Sequence, residues 1–166
     1  MRKALPVMIL VCFTLAGVAS AQGQAQPPLT TEQRALRAFN NVQGKLIAIA
    51  KDLPEDKFDY RPHKDVRSMI EELWHATAAN ISFAAQFKNE QIDRQKLFST
   101  EGKPRTRAEL VAQLENSVSA VSKLIEASFD ARIIGLAEHA GEHYGKLVTM
   151  YRINGLVPPQ TRDRQQ

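Results

Sequence analysis

His139 and His143 stand four residues apart in the run Leu136-Ala137-Glu138-His139-Ala140-Gly141-Glu142-His143. On an α-helix that spacing places two imidazoles on one face, one turn above the other. Leu136, Ala140, Leu147 and Met150 share the stripe, so the pair is expected to face an apolar interior. Imidazoles without partners are costly there. A divalent cation that accepts a nitrogen from each removes the cost if a third ligand arrives from another helix. His75, beside Leu73 and Trp74 on a segment that must bury its own apolar stripe, is the candidate for that third position. Spacing leaves a second reading open, in which the three are half-buried histidines hydrogen-bonded to the backbone. The fourth histidine, His63, falls in a polar connector and reads as a solvated loop residue.

Neighbouring residues narrow the chemistry. His139 to His143 also fits H-x-x-E-H, in which Glu142 would activate a metal-bound water for peptide hydrolysis and a further acidic ligand would follow downstream. Past His143 the chain has no glutamate, and its one aspartate, Asp163, is near the end, which disfavours a protease. Glu142 is also about 100° around the helix from His143, a surface or supporting position rather than that of a base. Glu72-Leu73-Trp74-His75 supplies one E-x-x-H unit, but a carboxylate-bridged di-iron bundle needs two, with two further glutamates.

The N-terminus reads as an export signal. Arg2 and Lys3 precede an apolar run from Ala4 to Val18, and Ala19-Ser20-Ala21 supplies the small residues of a cleavage site. The run is shorter than the roughly 20 residues of a membrane span. Polar, proline-rich Gln22 to Pro28 follows it, so cleavage after Ala21 is expected to leave no stable membrane anchor. The expected location is periplasmic or extracellular. Cys12 is lost with the signal, and Val11 before it is larger than lipidation requires. The mature chain of 145 residues (166 − 21) therefore has no thiolate ligand, cysteine nucleophile or disulfide. Without Arg2 and Lys3 the formal charge falls from +4 to +2, and the remaining basic residues are scattered among acidic ones. No stripe suited to nucleic acid emerges.

Three capping boxes and one terminator organise the rest. Thr30 with Gln33 opens a helix over about 31 to 52, along which Leu36, Phe39, Val42, Leu46 and Ile49 recur at helical spacing until Leu53-Pro54. Residues 54 to 67 form a charged connector. Ser68 with Glu71 opens a second helix through Ile70, Leu73, Trp74, Thr77, Ile81 and Ala84 to about Lys88. A long polar loop spans 89 to 105, long enough to cross the end of a bundle and make the third helix parallel to the second. Thr106 with Glu109 opens that helix, marked by Leu110, Leu114, Val118, Val121, Leu124 and Ile125, and a fourth runs from about 131 to Asn154-Gly155. The expected fold is an all-α four-helix bundle with a long crossover between helices 2 and 3, preceded by a cleavable signal peptide. The expected domains are a signal at 1–21, a flexible segment at 22–30, the bundle at 31–159 and a polar tail at 160–166.

The segment from Leu136 through His143-Tyr144-Gly145-Lys146-Leu147-Val148-Thr149-Met150-Tyr151-Arg152 to Gly155-Leu156-Val157-Pro158-Pro159 strongly resembles the C-terminal signature of DinB-like proteins. Phe58-Asp59-Tyr60-Arg61-Pro62, Val66-Arg67-Ser68 and Leu73-Trp74-His75-Ala76 resemble an earlier block of the same family, so the resemblance covers nearly all of the mature chain. It implies a four-helix bundle with the long crossover, and a metal triad of one histidine from the second helix and the H-x-x-x-H pair from the last: His75, His139 and His143. Only ten residues separate Ile125 from Leu136, a shorter connection than is usual in the family, so the tilt of the last helix decides whether the three imidazoles meet. Enzymes of the family transfer or isomerise thiol-containing small molecules, and no residue here marks a thiol pocket.

Three neutral imidazoles without a protein anion suit Zn²⁺ or Ni²⁺ and leave a position open for water or substrate. The expectation is an exported metal-dependent enzyme of thiol-transfer or hydrolytic type acting on a small molecule. The alternative is a non-catalytic bundle that binds metal or ligand as an interaction module. Homodimerisation through helix faces fits either.

Overall fold

The computed structural model of the chain describes residues 27–164 apart from Pro104. The signal peptide expected over 1–21 lies outside the described residues. Thr30, Ser68 and Thr106 each accept a hydrogen bond from the backbone N–H three residues on, and Gln33, Glu71 and Glu109 each reach back to the capping residue's N–H. These reciprocal bonds satisfy amide donors that a helix start leaves open. They begin α1 (Thr31–Asp52), α2 (Met69–Phe87) and α4 (Arg107–Ala127). The fourth long helix, α5 (Arg132–Ile153), has no capping bond from its N-cap Ala131, and Asp130 instead accepts from the N–H of Arg132 at 2.9 Å. Gly155, with φ +70°, follows its last turn in the left-handed region that glycine adopts without strain.

No strand occurs among the described residues, and the four long helices form an all-α bundle. Both α1 and α2 pack on α4 and α5, which leaves α1 diagonal to α2 and α4 diagonal to α5. Side-chain pairs fix the directions. Tyr151 donates to the carbonyl of Ile49 at 3.2 Å and Lys45 lies over the Tyr144 ring, so α1 and α5 run parallel. Asn80 donates to Ser117 and the Arg105 guanidinium stacks 3.7 Å from the Trp74 ring, so α2 and α4 also run parallel, as the length of the crossover predicts. Lys51 with Glu115 and Ser122 with Asn40 place α4 antiparallel to α1.

One core cluster lies at the end where α1 closes, built on Leu46, Ile49, Leu73, Leu110, Leu147 and Tyr151. A second gathers Phe39, Phe83, Val121, Ile125, Ile133 and Leu136 toward the other end. A polar chain crosses the interior: Gln43 Nε2 donates to Asn80 Oδ1 at 3.0 Å, and Asn80 Nδ2 donates to Ser117 Oγ at 3.2 Å. Asn80 is fully buried while Ile81, expected on the buried stripe, is only partly so.

Two segments differ from expectation. Residues 89 to 105 hold a short helix, α3 (Arg94–Phe98), capped by the Asp93 carboxylate, which accepts from Lys96 N–H at 2.8 Å. The C-terminal segment also contains a helix, α6 (Pro159–Asp163), begun by proline at its first position. Arg162 on α6 pairs with Asp52 at 2.6 Å and Tyr144 donates to Gln160, which ties this end to α1 and α5. No helix among the described residues is long and apolar enough to cross a membrane.

Candidate metal centre

His143 is buried on α5 and His139 sits one turn earlier, half-buried, with their Nε2 atoms 3.1 Å apart. Leu136, Ala140, Leu147 and Met150 hold this face of α5 in the interior, as the sequence stripe requires. His75 comes from the facing turn of antiparallel α2, with ring centroids 4.9 Å from His143 and 5.3 Å from His139. One ligand atom from each of the three lies within 4.8 Å of the others. The short connection before α5 therefore brings all three together. His63 lies away from the cluster on the surface, where its Nδ1 accepts from the N–H of Asp65.

Two carboxylates fix the rings. Glu72, one turn before His75 on α2, contacts His143 Nδ1 and is itself buried. Glu101, from the end of the crossover, contacts His75 Nδ1. Each bond occupies Nδ1 and leaves Nε2 as the nitrogen available to a ligand, the arrangement by which carboxylates orient metal-binding histidines and raise their basicity. Glu72 lies one turn from His75, a spacing visible in the E-x-x-H string. Glu101 lies beyond the reach of any periodicity.

The crossover is built to deliver Glu101. Arg105 stacks on Trp74 and donates to the carbonyls of Thr100 at 2.8 Å and Lys103 at 3.0 Å, gathering the loop against α2. Arg67 Nε donates to Glu101 Oε2 at 2.7 Å while Oε1 faces His75, so the carboxylate bridges a cation and an imidazole. Phe98 of α3 packs against the His75 ring, with centroids 5.0 Å apart.

Electrostatics favour the neutral, ligating form of His75 and His139. Burial lowers the pKa of His139, and the neighbouring His143 and His75 lower it further, to about 4. Burial likewise lowers His75, against the opposing pull of Glu101. Burial pushes Glu72 up, but its hydrogen bond to His143 and the electrostatic pull of His143, Lys146 and Arg67 hold it below the usual carboxylate range. The centre thus combines two imidazoles, His75 and His139, biased toward their neutral form, with a carboxylate, Glu72, biased toward its ionised form. Glu142 is exposed on α5, and its charge acts on His139 without a hydrogen bond to the cluster among the described residues.

Two clefts border the centre. One, about 710 Å³, meets the backs of Glu72 and Glu101 among Arg61, Lys64, Arg67 and Lys146. The other, about 520 Å³, is lined by His75 and His139 themselves, with Phe83, Phe98 and Leu136 as apolar wall. Only the second gives access to the imidazoles.

A bundle of four long helices with one histidine on the second and two on the last defines the class to which comparison then assigns the chain. The family model described as DinB superfamily matches residues 38–152, and the chain belongs to that superfamily. Comparison with curated proteins and with solved structures gave no match.

Proposed function

We propose that this chain is an exported metal-dependent enzyme in which His75, His139 and His143 hold one divalent ion, Zn²⁺ or Ni²⁺. The observation that carries this is the convergence of three imidazoles, two of them fixed by carboxylates at Nδ1. Fit to a metal can be tested on the spacing. Tetrahedral zinc with nitrogens at about 2.0–2.1 Å separates its ligand atoms by roughly 3.3 Å. The His139 and His143 Nε2 atoms are 3.1 Å apart. The donor set is all imidazole, which suits zinc and nickel, and a three-ligand set is that of an open, catalytic site.

When bound, such an ion lowers the pKa of a water or thiol and so supplies a nucleophile near neutral pH. The chain's own groups orient and shield. Glu72 and Glu101 hold the imidazoles in one tautomer, each accepting the Nδ1 proton. Phe98, Phe83 and Leu136 form an apolar wall beside the open face, against which the body of a small substrate packs. Thiol transfer and hydrolysis both use this arrangement.

The test is metal analysis of the purified mature protein together with His75→Ala and His139→Ala. The wild type is expected to carry one equivalent of metal and to gain thermal stability on addition of Zn²⁺ or Ni²⁺, by about 2.7 kcal/mol at a hundredfold excess over the dissociation constant. Both variants are expected to lose both properties. A wild type that takes up no metal and shows no thermal response overturns the metal reading. Stoichiometric metal without turnover of any thiol or ester substrate in a panel makes the protein a binding module instead.

A further inference from the structure

The cleft that reaches His75 and His139 is also lined by Arg94 and Arg132, and among the described residues no aspartate or glutamate lines it. Arg94 forms no hydrogen bond or ion pair among the described residues and stands exposed at the first position of α3. Arg132 is held in place from two sides. Asp130 forms an ion pair with it, accepting from both Nε and Nη2 and leaving the Nη1 edge free, and the guanidinium lies over the Phe83 ring, 5.6 Å from the centroid. Planar guanidinium groups with free N–H donors recognise carboxylates in a way that no other side chain matches.

Arg132 and Gly135 belong to the first turn of α5, whose opening N–H groups are already paired, that of Arg132 with Asp130 Oδ1 and those of Ile133 and Ile134 with the carbonyls of Asp130 and Ala131, so the preference for an anion rests on the guanidinium groups. A Cβ at Gly135 would meet nothing within 4 Å, so the cleft is open beside this turn. Asp130 partly offsets the charge of Arg132 from the side, and Arg132 in turn keeps the Asp130 carboxyl well below its ordinary value through their hydrogen bonds. The remainder of the cleft is apolar or neutral: Ala79, Phe83, Phe98 and Leu136, with Ser82 and Gln86.

The geometry points to a substrate that is a small organic carboxylate with an apolar body, its anionic end held by Arg94 and Arg132 and its reacting end directed toward His75 and His139. This deepens the proposed function and rests on it for the direction of the reacting end. The preference for an anion rests on the cleft alone, so the two can fail separately.

Calorimetric titration distinguishes them. The probes are a homologous series of ω-phenylalkanoates and their neutral amides, added to the mature protein with and without Zn²⁺. At least one acid is expected to bind about tenfold more tightly than its amide, as a charge-assisted hydrogen bond allows. Arg94→Gln and Arg132→Gln should each erode that preference, the double change should abolish it with amide binding unaltered, and Lys at both positions should restore part of it. Circular dichroism checks that the variants fold. Acid and amide binding alike, or neither binding, overturns the inference. So does a preference that survives the double change, since the acid would then be held by Zn²⁺ itself. An arginine-dependent preference in a protein that takes up no metal supports this cleft assignment while removing the metal reading.

Discussion

Glu101 and Glu72 hold their histidines from different kinds of backbone, one from a loop and one from the first turn of a helix. Replacing Glu101 by Gln keeps the size but removes the charge that complements His75 and Arg67. Metal affinity is expected to fall by about 10- to 100-fold with little change in fold, the usual effect of losing such an orienting partner. Competition against a chromophoric chelator measures it, and an unchanged affinity would show that Glu101 does not orient the ligand. A different carboxylate governs acid sensitivity. Burial raises Glu71, but bonds from Ser68 and from Arg61 outweigh it, so its folded pKa lies below the ordinary 4.5. The unfolded chain therefore binds the proton first as pH falls. The stability that Glu71 contributes is present above about 4.5 and lost as pH drops through the lower folded value. Wild type is expected to exceed Glu71→Gln in urea midpoint at neutral pH, and the gap should close on acidification. A gap independent of pH would assign the effect to shape rather than charge.

At the scale of the elements, Asn80 joins three helices through one side chain. It accepts from Gln43 on α1 and donates to Ser117 on α4. Asn80→Ala leaves a fully buried amide donor without its acceptor, which costs about 1–3 kcal/mol. Equilibrium urea unfolding reads this directly, and a loss below the error of the measurement would mean that water replaces the lost partner. The periodic strings of α1, α2, α4 and α5 and their capping boxes made those helices legible, because capping and amphipathic spacing are local properties. Asn80 was not legible, since a buried polar residue is stabilised by partners far along the chain. Neither was α3: five residues are too few to show a period, and Asp93 as a cap resembles any turn residue. The same distinction divides the candidate centre. His139 and His143 announce themselves by their spacing and Glu72 stands one turn from His75. Glu101 is placed by Arg105 and Arg67, contacts that no string of residue types encodes.

Across the whole molecule, the three histidines join parts that the chain order keeps separate. His75 belongs to α2 and His139 and His143 to α5, while Glu101 attaches the crossover to the same point. A metal ion there would act as a cross-link between antiparallel helices and the loop that spans them, and stabilisation by binding falls on whatever must come apart for the ion to leave. Hydrogen exchange should therefore be uneven in its response to chelation. Amides around residues 72–79, 99–103 and 136–147 are expected to lose protection when metal is removed from the loaded protein, while those of α1 near Phe39 change little. The capping box at Thr30 and the contacts of α1 with α4 do not pass through the centre. A uniform loss over all four helices would instead mean that the ion acts only on global stability, with no part of the bundle opening independently of the rest.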